Sequence, residues 1–218
     1  MSKKKNNNDN MRADDFLAYL ATNSEYQAMR KRKDAEWAAA VAKNRQEEAT
    51  LVQELRDAGV HVKLTNIPGE EHEGPPKSVW DLVNTRTPYP EAIPILIKHL
   101  EIDYGRDVKE GIIRALAVVE ARDVATERLI KEFVSIEDPD SDFKWVVGLA
   151  IAATTTPKTG GEVAALALDK SHGKSRGELP LGMLNANPEE AIPCLQKMLE
   201  DPVTKKNAAK ALKRIEKL

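Results

Sequence analysis

The sequence predicts an all-α fold, an α-α superhelix (solenoid) of about four helix pairs preceded by a long N-terminal helix. Three observations carry this. The first is a short helix that recurs four times, starting at Val108, Phe143, Ser175 and Thr204. In the first two copies the offsets zero, four, seven, eight and eleven hold Val108, Ile112, Ala115, Leu116 and Val119, then Phe143, Val147, Ala150, Ile151 and Thr154. In the last two they hold Ser175, Leu179, Gly182, Met183 and Ala186, then Thr204, Ala208, Ala211, Leu212 and Ile215. These offsets share one side of a 3.6-residue helix, and the small residue at offset seven admits a second helix closely. The starts at 108, 143, 175 and 204 lie 35, 32 and 29 residues apart, a spacing that belongs to stacked helical repeats.

The second observation is a partner helix upstream of each copy: Ala92-Leu96-Leu100, Ala125-Leu129-Phe133, Val163 to Leu168, and Ala191-Leu195-Leu199. Pro90-Glu-Ala-Ile-Pro and Pro188-Glu-Glu-Ala-Ile-Pro open the first and last of these, and proline in a first turn removes no helical hydrogen bond. The third is composition. Only 5% of the residues are aromatic, as a core of Ala, Leu, Ile and Val between packed helices requires.

Taken in chain order, residues 1–23 read as a disordered, lysine- and asparagine-rich tail and a short helix around Asp14 to Leu20, the charges being those of a solvated segment. Ser24 with Gln27 makes a capping box and Gly59 a stop, so one charged helix of about 50 Å occupies 24–59. Trp37, Val41, Leu51, Leu55 and Ala58 form a seam on it, interrupted by Asn44 and Glu48; the stretch from Met29 to Asp34 is charged on all sides. Two roles stay open: its C-terminal half caps the first repeat, or the helix recruits a partner or dimerises. Residues 60–77 alternate briefly at Val60, Val62 and Leu64 and then read as a linker through Pro68-Gly-Glu-Glu-His-Glu-Gly-Pro-Pro. The repeat domain, 78–218, opens with an amphipathic segment around Trp80 that seals its first end.

Val108-Lys-Glu-Gly-Ile-Ile-Arg-Ala-Leu and Asn207-Ala-Ala-Lys-Ala-Leu-Lys-Arg-Ile resemble the HEAT-like repeats of the armadillo-type class, in the short bacterial form also found in phycobilisome lyases. The resemblance covers about 78 to 218 and implies a right-handed superhelix. The segment from Ser78 to Asn84 and on through Tyr89-Pro-Glu-Ala-Ile-Pro also resembles a group of bacterial HEAT proteins without an assigned activity. In such repeats a turn acid and an inner-helix base form a ladder between neighbours. Asp103 with Lys109, Asp138 with Lys144, Asp169 with Arg176 and Asp201 with Lys205 resemble that arrangement, the last departing most in spacing. An Asp in the turn also caps the helix.

The 218 residues carry a formal charge of −2 and a pI near 6.2, which gives no bulk attraction to nucleic acid or to an anionic membrane. No apolar run approaches the roughly 20 residues of a membrane span, and no signal peptide is read, so the cytoplasm is expected. Cys194, the one cysteine, excludes an internal disulfide and reads as a small core residue. His61, His72, His99 and His172 share no ligand spacing, so neither metal nor cofactor is expected. Gly173-Lys174-Ser175 is not a phosphate loop, because Leu168 stands where its first glycine belongs. The turn from Ser171 to Gly177 leaves a weaker option, a single anion held by backbone N–H groups with His172, Lys174 and Arg176.

No catalytic residues emerge, and an enzyme is not expected. The face opposite the core offsets reads Glu110, Arg114, Ala117; Trp145, Leu149, Ala152; Gly177, Leu181, Leu184; Lys206, Lys210, Lys213. An apolar middle bounded by charge is how a protein-binding groove is built. The expected function is therefore a non-enzymatic scaffold whose concave face takes an amphipathic or acidic protein segment. Trp145, Leu149, Leu181 and Leu184 would give the apolar contact and Lys206, Lys210 and Lys213 the charge. Leu149 and Leu181 fit the core equally well. The resemblance leaves two alternatives, a nucleic-acid-binding relative of the alkylpurine DNA glycosylases and a phycobilin-lyase-like subunit; against the first, no carboxylate stands at the central concave positions.

Overall fold

The computed structural model describes residues 13–65 and 71–217. The expected tail, 1–10, lies outside the described residues. The chain forms two compact units, 1–46 and 47–218.

The first unit holds α1 (Ala13–Thr22) and most of α2 (Ser24–Glu47). Backbone bonds from Asn23 N to Tyr19 O (2.9 Å) and from Gln27 N to Asn23 O (3.0 Å) carry the helical pattern across the join. Asn23, not Ser24, is the cap: its side-chain oxygen accepts from Tyr26 N at 2.9 Å, while Gln27 donates back to Leu20 O at 2.9 Å. A carboxamide one residue earlier reaches the first unpaired N–H groups better than the predicted box. No residue of α2 is buried, and Trp37 is 70% exposed. Its i,i+4 pairs Arg30–Asp34 and Arg32–Glu36, at 3.9 and 3.6 Å, are of the solvated kind that adds a few tenths of a kcal/mol.

The helix expected over 24–59 is broken at Glu48, with α3 (Ala49–Asp57) following. Two adjacent carboxylates explain the break. Glu47 accepts from the Gly105 N–H, and Glu48, 3% exposed, accepts from Val79 N at 2.8 Å and Ser78 Oγ at 3.1 Å. Each thus receives the unpaired N–H of a different helix start. Glu48 is no flaw in a coiled-coil seam; it fastens α3 down, and Leu51, Val52 and Leu55 are buried in this unit with α3 packed on α5 (Ala92–Leu100). Gly59, at φ 76, ends α3 as expected, with Val60 N bonded to Leu55 O at 3.0 Å.

The segment expected as a linker contains a hairpin, β1 (Val62–Leu64) antiparallel to β2 (His72–Gly74), in register Val62–Gly74 and Leu64–His72. Val62 and Leu64 face the core and Lys63 pairs with Glu73 at 2.8 Å across the strands. The brief alternation was a real strand signal. α4 (Val79–Asn84) follows, with a Ser78–Asp81 capping box, and packs on α6 (Arg106–Ala115).

The remaining elements are a 3-10 turn (Val119–Ala121), α7 (Thr126–Ser135), α8 (Asp142–Thr154), α9 (Gly160–Leu168), a long 3-10 helix (Lys170–Asn185), α10 (Pro188–Met198) and α11 (Lys205–Ile215). The structure is mostly helical. α5 packs on α6, α7 on α8, α9 on the long 3-10 helix and α10 on α11. The second members also pack in succession, α6 on α8, α8 on the 3-10 helix and that helix on α11. The core offsets of the third copy are all buried. In the other copies Val119 is the outlier at 63% exposure: α6 stops at Ala115, so offset eleven falls beyond the helix and Ala121 is buried instead. Phe143, Leu212 and Ile215 are half-buried and pack on the core.

The third copy differs from expectation in kind. It is 3-10 rather than α, in two segments that meet at Gly173, whose φ 53 and ψ −139 are not helical, with Pro180 inside the second. Pro180 removes the donor that would reach Arg176 O in an α-helix, and Gly177 and Gly182 weaken that alternative further. Such runs rarely exceed three or four residues; this one is held by α8, α9, α10 and α11 around it. Burial follows a period of three: Arg176, Leu179 and Gly182, then Pro180, Met183 and Ala186. The approach to α8 is close from both sides. A Cβ on Gly148 would stand 2.7 Å from Ser175 O, and one on Gly182 3.1 Å from Ala152 Cα.

Candidate functional site

The residues expected on the concave face stand on three helices that pack in order: Trp145 and Leu149 on α8, Leu181 and Leu184 on the 3-10 helix, and Lys206, Lys210 and Lys213 on α11. Trp145 is 38% exposed, Leu149 and Leu181 are half-buried, and Leu184 packs against the core. The 3-10 period places Glu178 on one stripe with Leu181 and Leu184, so this face holds a carboxylate that an α-helical reading of the sequence does not place there. Ala208 and Ala211 are fully buried, which seats α11 closely and leaves its lysines in solvent.

The expected anion site fares differently. Arg176 is 4% exposed; its Nη2 pairs with Asp201 at 2.7 Å and its Nη1 donates to Ala167 O at 3.0 Å. Lys174 N donates to Asp140 Oδ1 (2.7 Å), Ser175 N to Pro139 O (3.2 Å) and Ser171 N to Asp169 Oδ1 (2.9 Å). His172 lies edge-on to Phe133 at 5.0 Å, and burial, helped by the cations Lys144 and Arg176, pushes its pKa down against the pull of Asp169. The N–H groups of Ser171, Lys174 and Ser175 and one bond from each Arg176 Nη are thus used within the chain, while the Arg176 Nε has no hydrogen-bond partner.

The basic residues of the first three copies bind groups of the chain itself, but not the partners their spacing suggests. Lys109 pairs with Glu132 at 3.4 Å, and Lys144, 3% exposed, donates to Ile136 O at 2.7 Å with its ammonium 5.0 Å from the Phe133 ring. Arg176 reaches forward to Asp201, across the boundary between the third and fourth pairs. Asp169 caps the helix that follows it by receiving Ser171 N, and Asp201, besides pairing with Arg176, receives Val203 N at 2.9 Å in its own turn. Lys205 is exposed.

One constellation escaped the sequence. Glu54 on α3, His99 on α5 and Tyr104 after it form a chain, with Glu54 Oε2 3.2 Å from His99 Nε2 and His99 Nδ1 2.6 Å from the Tyr104 hydroxyl. Lys98 donates to both Glu54 oxygens at 2.7 and 2.9 Å. Acid, imidazole and hydroxyl in a row invite a catalytic reading. Electrostatics oppose it, because burial and the carboxylates of Glu54, Glu47 and Glu48 raise the phenol pKa, the reverse of what a nucleophilic oxygen needs. The chain fastens α3 to α5. A groove of about 290 Å³ between Thr85–Tyr89 and the end of α6 is lined by Arg86 and Arg114, but Glu120 lies in it and Glu110 holds Arg114 at 2.8 Å. It carries no net charge to select a ligand. Among the described residues, no three His, Cys, Asp or Glu stand close enough to hold a metal ion, and no helix is long and apolar enough to cross a membrane.

Compared with protein-family models, curated proteins and solved structures, the chain matches none.

Proposed function

We propose that the chain is a non-enzymatic protein-binding scaffold of the cytoplasm, a HEAT-like α-α solenoid that holds a partner on its concave face. The observation that carries the reading is Trp145, an indole left 38% exposed on α8 beside the half-buried Leu149 of the same helix. Tryptophan in a partly desolvated setting is the residue type most enriched among binding hot spots. The succession α6, α8, 3-10 helix and α11 supports a repeat stack, in which the helices carrying Trp145, Leu149, Leu181 and the α11 lysines are packed neighbours. For the glycosylase-like alternative Glu178 supplies the acid that its chemistry would need, but this carboxylate and the formal charge of −2 both oppose a phosphate backbone.

The test is capture on immobilised full-length chain, with retained protein and nucleic acid both quantified and Trp145→Ala as the comparison. Trp145→Ala should keep its circular dichroism and melting temperature while losing about 2 kcal/mol of partner affinity. Equal retention by both chains, or a variant that loses its fold along with its binding, would make Trp145 a packing residue and end the proposal.

A further inference from the structure

The strongest charge segregation in the chain lies on α11 and the residues after it. Between Lys205 and Lys217 stand six basic residues and one acid, Glu216, in a chain whose formal charge is −2. Lys205, Lys206, Lys210, Lys213, Arg214 and Lys217 are all exposed. None of the ion pairs among the described residues uses any of the six. Lys206, Lys210 and Lys213 follow one another at four and three residues, a single stripe along α11, and Lys217 comes in the turn after the helix ends at Ile215. At 1.5 Å per residue the three are spaced by about 6 and 4.5 Å.

We propose that this stripe docks an acidic α-helix of a partner protein, about three turns long, with carboxylates at the same i, i+4, i+7 spacing. This rests on the scaffold reading above and specifies its partner. Two observations favour a helix over a nucleic-acid backbone. The half-buried Leu181 stands on the 3-10 helix that packs against α11, and Asn207 ties the two together through a 2.8 Å bond to Gly177 O. An amphipathic helix needs such an apolar strip beside the cationic one, whereas a phosphate backbone has no use for it. The lysines are also unaccompanied by an aromatic residue on α11 that could stack on bases.

The test uses a synthetic amidated peptide of about 14 residues, long enough for those three turns, with Glu on one stripe and Leu on the next. Two controls accompany it, a scrambled peptide of equal composition and a short DNA duplex. Fluorescence anisotropy should show the patterned peptide binding the full-length chain, with the scrambled peptide and the duplex at least about tenfold weaker. Lys206→Glu with Lys210→Glu and Lys213→Glu, folded by circular dichroism, should lose about tenfold at low salt and much less at high salt. Equal binding of the scrambled peptide, tighter binding of the duplex, or no patterned-peptide binding at millimolar concentration would each overturn the proposal. If Trp145→Ala weakens the peptide and the lysine variant does not, the acidic-helix inference fails while the scaffold reading stands.

Discussion

Removing the Asp201 carboxylate should destabilise the chain more than removing the arginine it binds. Arg176 has a 5% exposed side chain, and its Nε has no hydrogen-bond partner in the structure; Asp201 supplies the charge opposite it at 2.7 Å, and Ala167 O supplies the rest. In Asp201→Ala the guanidinium stays buried with only a carbonyl to hold it, a situation that costs about 3 kcal/mol. In Arg176→Met the stranded group is Asp201, whose side chain is already 14% exposed and can hydrate, so the cost should be about 1–2 kcal/mol. The double variant should resemble Arg176→Met, since no buried cation is then left behind. Urea unfolding followed by far-UV circular dichroism measures all three, and Asp201→Ala should melt about 6–12 °C lower. Asp201 is held below the ordinary carboxylate range, first by the Arg176 hydrogen bond and next by Val203 N–H. Because the folded carboxyl binds its proton less tightly than the unfolded one, this stabilisation is complete above about pH 4 and is lost as the pH falls further. If Asp201→Ala costs no more than Arg176→Met, the pair behaves as a solvated surface contact and the argument from burial is refuted.

Two further outcomes follow from other joints. Glu48→Gln should cost about 2 kcal/mol in urea unfolding, because the charge-assisted bonds from Val79 N and Ser78 Oγ are replaced by weaker neutral ones; an unchanged midpoint would show that α3 is held by its leucines alone. His172 has its pKa lowered by burial and by Lys144 and Arg176, so the fold favours the neutral ring: stability should fall as the pH drops through about 6.5 and level off below the folded value. His172→Gln should flatten the melting temperature between about pH 7.5 and 5.5, and a slope that persists would assign it to other groups.

What the sequence made legible was the part governed by periodicity. Ile112, Val147, Leu179 and Ala208 are each 0% exposed, as one apolar face requires. Periodicity carries no record of which hydrogen-bond pattern closes the turn, so the third copy was read as α although Pro180 and the glycines around it were visible. The break at Glu48 was likewise beyond a local reading, because its cause is the N–H of Val79, 31 residues on. The hairpin had too few residues to outweigh the Pro and Gly that follow it.

The candidate site divides along the same physical line. Exposed character is a local property: a lysine comb on a helix with two buried alanines must point outward, and Lys206, Lys210 and Lys213 do. Partnership is not local. Arg176 and His172 carry the chemistry of an anion site, and only the packed structure shows the Arg176 Nη groups bonded to Asp201 and Ala167 and the His172 ring edge-on to Phe133. The same holds for Glu54, His99 and Tyr104, 45 residues apart at the first step (99 minus 54), which look like a relay in space and like nothing in sequence. Each of these clusters joins one helix to the next and spends its polar groups there. Trp145 and the α11 lysines are among the groups whose surfaces remain exposed rather than spent on such a joint, and that is why the proposal of binding rests on them.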